Sequence, residues 1–293
     1  MPPISFDSIP STVRVPLVYI EFNNNRAVQG TPPIPHKMLV LGQRLAAGSV
    51  AAGVPTLITS SAQAETAFGR GSMLASMFAA IKKANPYTES WGLALDDAGG
   101  GVFATGTLTF TGTVTKAGAL TLYIAGTRLP VAVAAAETNA TTATNVAAAI
   151  NADTSLPVTA AAATNVVTLT ARHRGVVGND IDVRTNYYPG EVLPTGLSVA
   201  IVAMASGATN PDLATAITAM GAEWWNTIVM PYTDSANLAL LETELTSRFG
   251  PTRMIDGVAF AAYRGTHAAT DSFGAGRNHA AISYMGTGIA PQP

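Results

Sequence analysis

Apolar positions in residues 224–263 change their spacing along the chain, and this change predicts a strand, a helix and a second strand. Residues 227–230 are a short apolar run, which is typical of a buried strand. The next apolar residues recur every three or four positions, as on one face of a helix: Leu238, Leu241, Leu245 and Phe249. Asp234 or Ser235 is expected to cap this helix. Residues 258–262 are a second apolar run, so the two strands are predicted to be parallel with a right-handed crossover.

Strand and helix patterns also alternate outside this unit. Strands are predicted at residues 36–42, 89–95 and 280–285, and helices at residues 60–68, 72–85 and 211–222. Ser60 or Ser61 is expected to cap the first of these helices, and Ser72 the second. Asn210 is expected to be the N-cap of the last helix, with Pro211 at its first position. This alternation predicts an α/β core with a mainly parallel sheet and flanking helices.

Residues 102–206 differ in character, because Thr, Ala, Gly and Val dominate and apolar positions alternate with polar ones. Strands are predicted at residues 107–111, 120–124, 166–170 and 197–202, and a single helix near residues 141–151. We interpret this segment as an inserted β-rich domain that faces outward. The predicted organisation is then an arm at 1–36, a discontinuous core at 37–101 and 207–293, and the insertion at 102–206.

The N-terminal segment is rich in proline, which forbids regular helix. Six strand-like residues stand between the prolines: Leu17, Val18, Tyr19, Ile20, Glu21 and Phe22. A lone strand cannot satisfy its own backbone groups and must add to a sheet. That sheet could lie in the same chain or in a neighbouring subunit, and the residues alone leave both possibilities open.

Composition limits the classes of partner. Charged residues are only 12% of the chain, against about 25% in ordinary globular proteins. So weakly charged a surface suits a protein that is covered by partners. The net charge of −2 and the lack of a basic cluster argue against nucleic acid and anionic membranes. No apolar run is long enough to span a bilayer, and no phosphate-binding loop, zinc signature or cysteine is present, so no cofactor is expected.

One set of residues has the order of a catalytic triad. Asp234 follows a predicted strand, His267 lies in a segment that resembles the histidine segment of subtilisin-type proteases, and Gly288 stands at the serine position. Because glycine has no nucleophile, the sequence predicts that the chain is not an enzyme. A degenerate subtilisin-like hydrolase is the remote alternative. The basic triplet at residues 172–174 is interpreted as a strand-edge cluster, and the tryptophan pair at residues 224–225 as packing.

Several segments, in this order, carry a family resemblance. They are Arg14 to Ala27, Met38 to Gln43, Trp91 to Asp97, Trp225 to Tyr232 and Gly276 to His279. Together they resemble contractile-tail sheath proteins, above all those of Mu-like bacteriophages. The likeness covers about the first hundred and the last ninety residues, and members of the family usually carry a further C-terminal domain that residues 1–293 lack.

The resemblance implies a mechanical role in the virion. Sheath subunits stack as rings, usually hexameric, around a tail tube and contract from a metastable extended state to drive the tube through the host envelope. The implied partners are further copies of the chain, the tube protein, and the baseplate and tail terminator proteins, with assembly in the host cytoplasm. The alternative is a different self-assembling or surface-binding module.

Overall fold

The computed structural model describes residues 9, 10, 12–22 and 36–288, and the chain forms two compact units, Met1–Pro35 and His36–Pro293. The described residues of the first unit form bends and a turn, without helix or strand. The Tyr19 hydroxyl donates to the Val15 carbonyl at 3.1 Å. Residues 17–22 carry no strand among the described residues, and their pairing with a second subunit stays a prediction. The rest of the predicted arm lies outside the described residues.

The second unit contains the helices and strands. Its strands are β1 Lys37–Gln43, β2 Thr56–Ile58, β3 Glu89–Leu95, β4 Phe103–Gly112, β5 Gly118–Ile124, β6 Thr127–Val133, β7 Val158–Ala163, β8 Val166–Arg174, β9 Val183–Thr185, β10 Leu197–Ala205, β11 Thr227–Met230, β12 Val258–Arg264 and β13 Ile282–Thr287. Its helices are α1 Ser61–Phe68, α2 Met73–Ala84, α3 Asn139–Ala152, α4 Ala214–Met220, α5 Ser235–Phe249 and α6 His267–Ala275, and Val176–Asp180 is a short 3-10 helix.

Six strands form the core sheet, in the order β13-β12-β11-β1-β3-β2. The first five are parallel and only β2 runs antiparallel, to β3. Strand β1 is buried on both faces, as expected for a strand in the middle of a parallel sheet. The α/β core with a mainly parallel sheet is thus confirmed, and β11, α5 and β12 form the predicted strand-helix-strand unit.

Alternate residues of β1 enter two different hydrophobic clusters. Leu39 and Leu41 pack with residues of α4 and α5 on one face of the sheet, whereas Val40 packs under α1 and α2 on the other. The caps hold these helices as predicted, since the Ser60 hydroxyl accepts from the Gln63 amide of α1 and Ser72 does the same for Ala75 of α2.

A glycine makes room for two aromatic rings between α1, α2 and β3. Phe68 and Phe78 stack with their centroids 6.0 Å apart. A Cβ atom at Gly92 would lie 2.4 Å from the Phe68 ring. We expect Gly92→Ala to lower the free energy of unfolding by about 1–3 kcal/mol, because overpacking forces buried side chains to shift. Urea denaturation would measure it. A Gly99→Ala control, whose Cβ meets nothing within 4 Å, should change stability by less than about 0.5 kcal/mol, and equal losses would contradict the packing explanation.

Residues 103–205 form two antiparallel sheets and carry a hydrophobic cluster of their own. The sheets have the orders β10-β4-β8-β7 and β6-β5-β9, and α3 packs against the first. The predicted strands are found within β4, β5, β8 and β10. Strands β6 and β7 are absent from the prediction because Pro130 and the alanine run of β7 lack the β-branched signal of a strand.

Two sequence predictions about helices are wrong in part. Phe249 does not join the buried stripe of α5, since it is 76% exposed, and the neighbouring Arg248 is buried in its place. Helix α4 begins at Ala214 and not at Pro211, because Asn210 does not cap it. The Asn210 side chain is used elsewhere: its Oδ1 accepts from the Val176 amide at 2.8 Å, and its Nδ2 donates to Asp234 at 2.8 Å. Within the described residues, no helix is long and apolar enough to cross a membrane.

Candidate functional site

Asp234 lies at the carboxyl edge of the parallel sheet, where α/β proteins place their ligands. It follows β11 and is the N-cap of α5, and its Oδ1 accepts from the Asn237 amide at 3.0 Å. Its Oδ2 accepts from the side-chain nitrogens of Asn210 at 2.8 Å and Asn237 at 3.0 Å. Both oxygens therefore have structural donors, and the carboxylate joins α5 to the segment before α4.

The structure does not assemble a catalytic triad. His267 is exposed and begins α6, with Thr266 as the N-cap. The Asp234 carboxylate accepts from two asparagines and not from this imidazole. Gly288 follows β13 and has no side chain. The Asp234 carboxylate is occupied by the two asparagines and Gly288 offers no nucleophile, so these three residues do not form a catalytic triad.

Two open cavities flank Asp234. One, of about 700 Å³, lies between residues 209–212 and the outer face of α5. The other, of about 340 Å³, is lined by Thr233, Tyr263 and the ion pair of Arg264 with Asp180, whose Nη1 and Oδ1 atoms are 3.4 Å apart. Burial raises the pKa of Asp180, and Arg264 opposes that shift. In the part of the chain that the structure describes, no three His, Asp or Glu side chains are placed to hold a metal ion.

Tyr232 lies under this edge and is fully buried. Its hydroxyl has no hydrogen-bond partner among the described residues. Burial raises its pKa strongly, and the carboxylates of Asp97 and Asp234 raise it further. A phenol that is so hard to ionise cannot serve as a nucleophile or a base at neutral pH. Tyr232 is part of the core and adds no chemistry to the edge.

The tryptophan pair packs as predicted. Trp225 is buried, with its ring in edge contact with Trp91 at a centroid distance of 5.8 Å and its Nε1 donating to the Met220 carbonyl. Trp224 is half-exposed and donates to the Asp256 carbonyl at 2.7 Å. The pair therefore fixes the ends of α4 and β12 and does not form a ligand platform.

We expect Asp234→Ala to lower the free energy of unfolding by about 1–3 kcal/mol, because the helix loses its cap and the side-chain amides of Asn210 and Asn237 lose an acceptor. Thermal or urea unfolding would measure this. The control is Asp256→Ala, since Asp256 is exposed and its loss should cost less than about 0.5 kcal/mol. If the two variants unfold alike, Asp234 is not the structural cap that the geometry indicates.

Comparison with known proteins defines the class. Residues 206–293, which include β11, α5, β12 and β13, match the family model described as the phage tail sheath protein central domain. Residues 206–293 are thus similar to the central domain of phage tail sheath proteins, and the resemblance read from the sequence is confirmed. The matched residues include Asp234, His267 and Gly288, so their subtilisin-like order lies within the part that resembles a sheath domain.

One relative extends the match to nearly the whole chain. The Mu-like prophage FluMu tail sheath protein of Haemophilus influenzae is 48% identical over 290 residues, which are 99% of this chain and 60% of the relative. The chain therefore spans less than two thirds of that protein. The match supports the prediction that the chain is a structural tail protein of a Mu-like phage and not an enzyme.

Two solved structures show weak overall similarity. A sheath tail protein of Listeria innocua is 12% identical, with a TM-score of 0.32 over 79% of this chain and 48% of that chain. A sheath tail protein of Desulfitobacterium hafniense is 15% identical, with a TM-score of 0.33 over 91% and 55% of the two chains. At such TM-scores these structures add nothing to the sequence match.

Proposed function

We propose that the chain is the subunit of a contractile tail sheath that polymerises as stacked, hexameric rings around a tail tube. The observation that carries this proposal is the 48% identity to a Mu-like prophage tail sheath protein over nearly all of the chain. The rings form in an extended, metastable state and contract when the baseplate triggers them. Because two packings of one subunit can differ in interface free energy, no nucleotide is needed.

The composition of the surface supports association with other subunits. Large apolar side chains are exposed on the core, among them Phe249, Met254, Phe260 and Met285. Only 12% of all residues are charged. A surface that is apolar and weakly charged associates readily, and head-to-tail contacts that do not close produce helical assemblies.

Residues 17–22 are proposed to add as a strand to a neighbouring subunit. Five of the six side chains are apolar, and Val18 and Phe22 are 87% and 88% exposed. An extended apolar segment with exposed side chains is suited to adding to the sheet edge of a second chain, which would bury those side chains and supply backbone hydrogen bonds.

The remaining parts take roles that follow from the sheath assignment. Residues 1–36 are the arm, residues 37–101 and 207–293 form the ring-building core, and residues 102–206 form an inserted domain on the outside. The separate hydrophobic cluster of residues 104–204 supports the last of these assignments. The partners are further copies of the chain, the tube, the baseplate and the tail terminator, first in the host cytoplasm and then in the virion tail.

Sedimentation velocity over a range of concentrations tests the assembly. The complete protein should form rapidly sedimenting polymers as its concentration rises, at the expense of the monomer. A single monomer boundary at every concentration, with or without the tube protein, would contradict the proposal. Tube protein alone is the control for polymers that do not contain the sheath.

A further inference from the structure

Residues 102–206 join the core through two connections that run side by side. The Val102 amide donates to the Ala208 carbonyl at 2.9 Å, and the Ala208 amide donates back to Val102 at 3.2 Å. The first connection begins with glycines at residues 99–101. The second contains Ser206 and Thr209, which adopt positive φ angles of 69° and 63°. Two adjacent connections, one permissive and one strained, have the geometry of a hinge.

Apolar burial does little to fix the region on the core. Every buried member of its hydrophobic cluster lies within residues 104–204, and every buried member of the two core clusters lies within residues 39–95 or 213–282. Val177 is the one partly buried residue of the region that packs against a core cluster. Interfaces between domains that lack a shared core allow relative motion by default, so the orientation must depend on polar contacts.

His173, near the end of β8, makes two of these contacts. Its Nδ1 lies 3.0 Å from Asp97 Oδ1, and its Nε2 lies 3.1 Å from the backbone nitrogen of Met73. Because an amide can only donate, Nε2 is the acceptor and the ring proton is on Nδ1, facing the carboxylate. Met73 is the first residue of α2, where the backbone amides have no partner within the helix. The imidazole thus joins the inserted region to two elements of the core.

Asp97 and Gln43 lie beside His173 in this junction. Two further polar contacts cross from the region to the core, from the Val176 amide to Asn210 and from Arg264 to the Asp180 carbonyl. Gln43 Nε2 donates to Asp97 Oδ1 at 2.8 Å and to the Arg174 carbonyl at 2.7 Å, while the Arg174 amide donates to Asp97 Oδ2 at 3.0 Å. Burial raises the pKa of Asp97, but the donors from His173, Arg174 and Gln43 lower it by more. The carboxylate therefore stays charged in a place that only these donors make favourable.

We propose that Gln43, Asp97 and His173 form a latch that holds residues 102–206 in one orientation, and that the connections at residues 99–102 and 206–209 are the hinge on which the region turns when the latch opens. With the latch closed, the region and the core move as one rigid body. Buried polar contacts of this kind specify one arrangement more than they stabilise it. The proposal does not depend on assembly into a sheath.

Distance measurements between two spin labels test the latch. The chain has no cysteine, so Ala163→Cys on the insertion and Lys83→Cys on α2 provide two unique, exposed labelling sites. With the native latch, pulsed electron spin resonance should give one narrow distance distribution. His173→Ala should at least double the width of this distribution or add a second distance, while circular dichroism shows native secondary structure.

His279→Ala is the matched control, because His279 bonds to Thr246 within the core and its loss should leave the distribution narrow. Equal widths for His173→Ala and His279→Ala would overturn the proposal. If His173→Ala does not fold, Asp97→Asn replaces it. Asn has the size of Asp, but its NH2 group would face a donor, either the Arg174 amide or His173 Nδ1, and one of these hydrogen bonds would be lost. That variant should also broaden the distribution, and an unchanged width would overturn the proposal equally.

Discussion

A proline scan across residues 17–22 is expected to stop assembly at alternate positions. A strand that adds to a sheet edge presents every second N–H group to its partner, and proline removes that group. Each lost bond leaves an unpaired carbonyl, which weakens assembly by about tenfold or more. Sedimentation velocity on proline variants at Val18, Tyr19, Ile20 and Glu21 would measure the concentration at which polymers form.

The scan has an internal and an external control. Proline at Val18 and proline at Ile20 should have the same effect on assembly, and proline at Tyr19 and at Glu21 should have the other effect, because side chains and amides alternate along a strand. Thr12→Pro changes an exposed residue outside the predicted strand and should assemble normally. Uniform tolerance across residues 17–22 would mean that the segment does not pair as a strand in the sheath.

Arg248→Ala is expected to lower the free energy of unfolding by about 2–4 kcal/mol, because it removes a buried cation that donates to Glu244 and to two backbone carbonyls, while Arg253 still compensates the charge of Glu244. The Arg248 side chain is 1% exposed, and its Nε lies 2.8 Å from Glu244 Oε1. Its two Nη atoms donate to the carbonyls of Glu223 at 2.8 Å and Gly221 at 2.7 Å. Equilibrium urea unfolding would measure the loss.

Arg253→Ala is the matched control for this prediction. Arg253 contacts the same Glu244 oxygen at 3.0 Å, but its side chain is 27% exposed. Water can replace its contacts, so its loss should cost about 1 kcal/mol or less. Arg248→Met should recover part of the stability, because an apolar side chain of similar length fills the site. Equal losses for Arg248→Ala and Arg253→Ala would show that burial does not set the cost.

Local patterns were enough to predict the parallel core. The strand β3 has the predicted bounds, and α1 begins after the Ser60 cap as expected. These elements depend on the spacing of apolar residues and on caps within a few positions, which a sequence displays directly. The order of the strands in the sheet was not predicted beyond the strand-helix-strand unit, because it depends on contacts between distant segments.

The errors have tertiary causes. At the end of α5 the periodicity favours Phe249 as the buried residue, yet Arg248 is buried because Glu244 and the carbonyls of Gly221 and Glu223 lie within its reach. Asn210 has the sequence signature of a helix cap, but Asp234 and Val176 use its side chain. Helix α6 has no strong apolar stripe, and none of its residues is buried, so its periodicity gave no signal.

At the candidate site, too, the sequence displayed local features but not the contacts between distant residues. The order of Asp234, His267 and Gly288 was visible in the sequence, and so was the glycine that stands at the position of the nucleophile. The junction of Asp97 with His173 was not predicted, because 76 residues separate the two partners. The basic triplet at residues 172–174 lies at the end of β8, an inner strand of its sheet, and its histidine has a specific acceptor, Asp97, that only the fold reveals.

Electron microscopy of the complete protein, purified with its tube protein, tests the central claim most directly. The sheath proposal predicts hollow, regularly striated tubes, in which each striation is a ring of subunits. Discrete particles without a helical repeat, at concentrations where the tube protein itself polymerises, would contradict it.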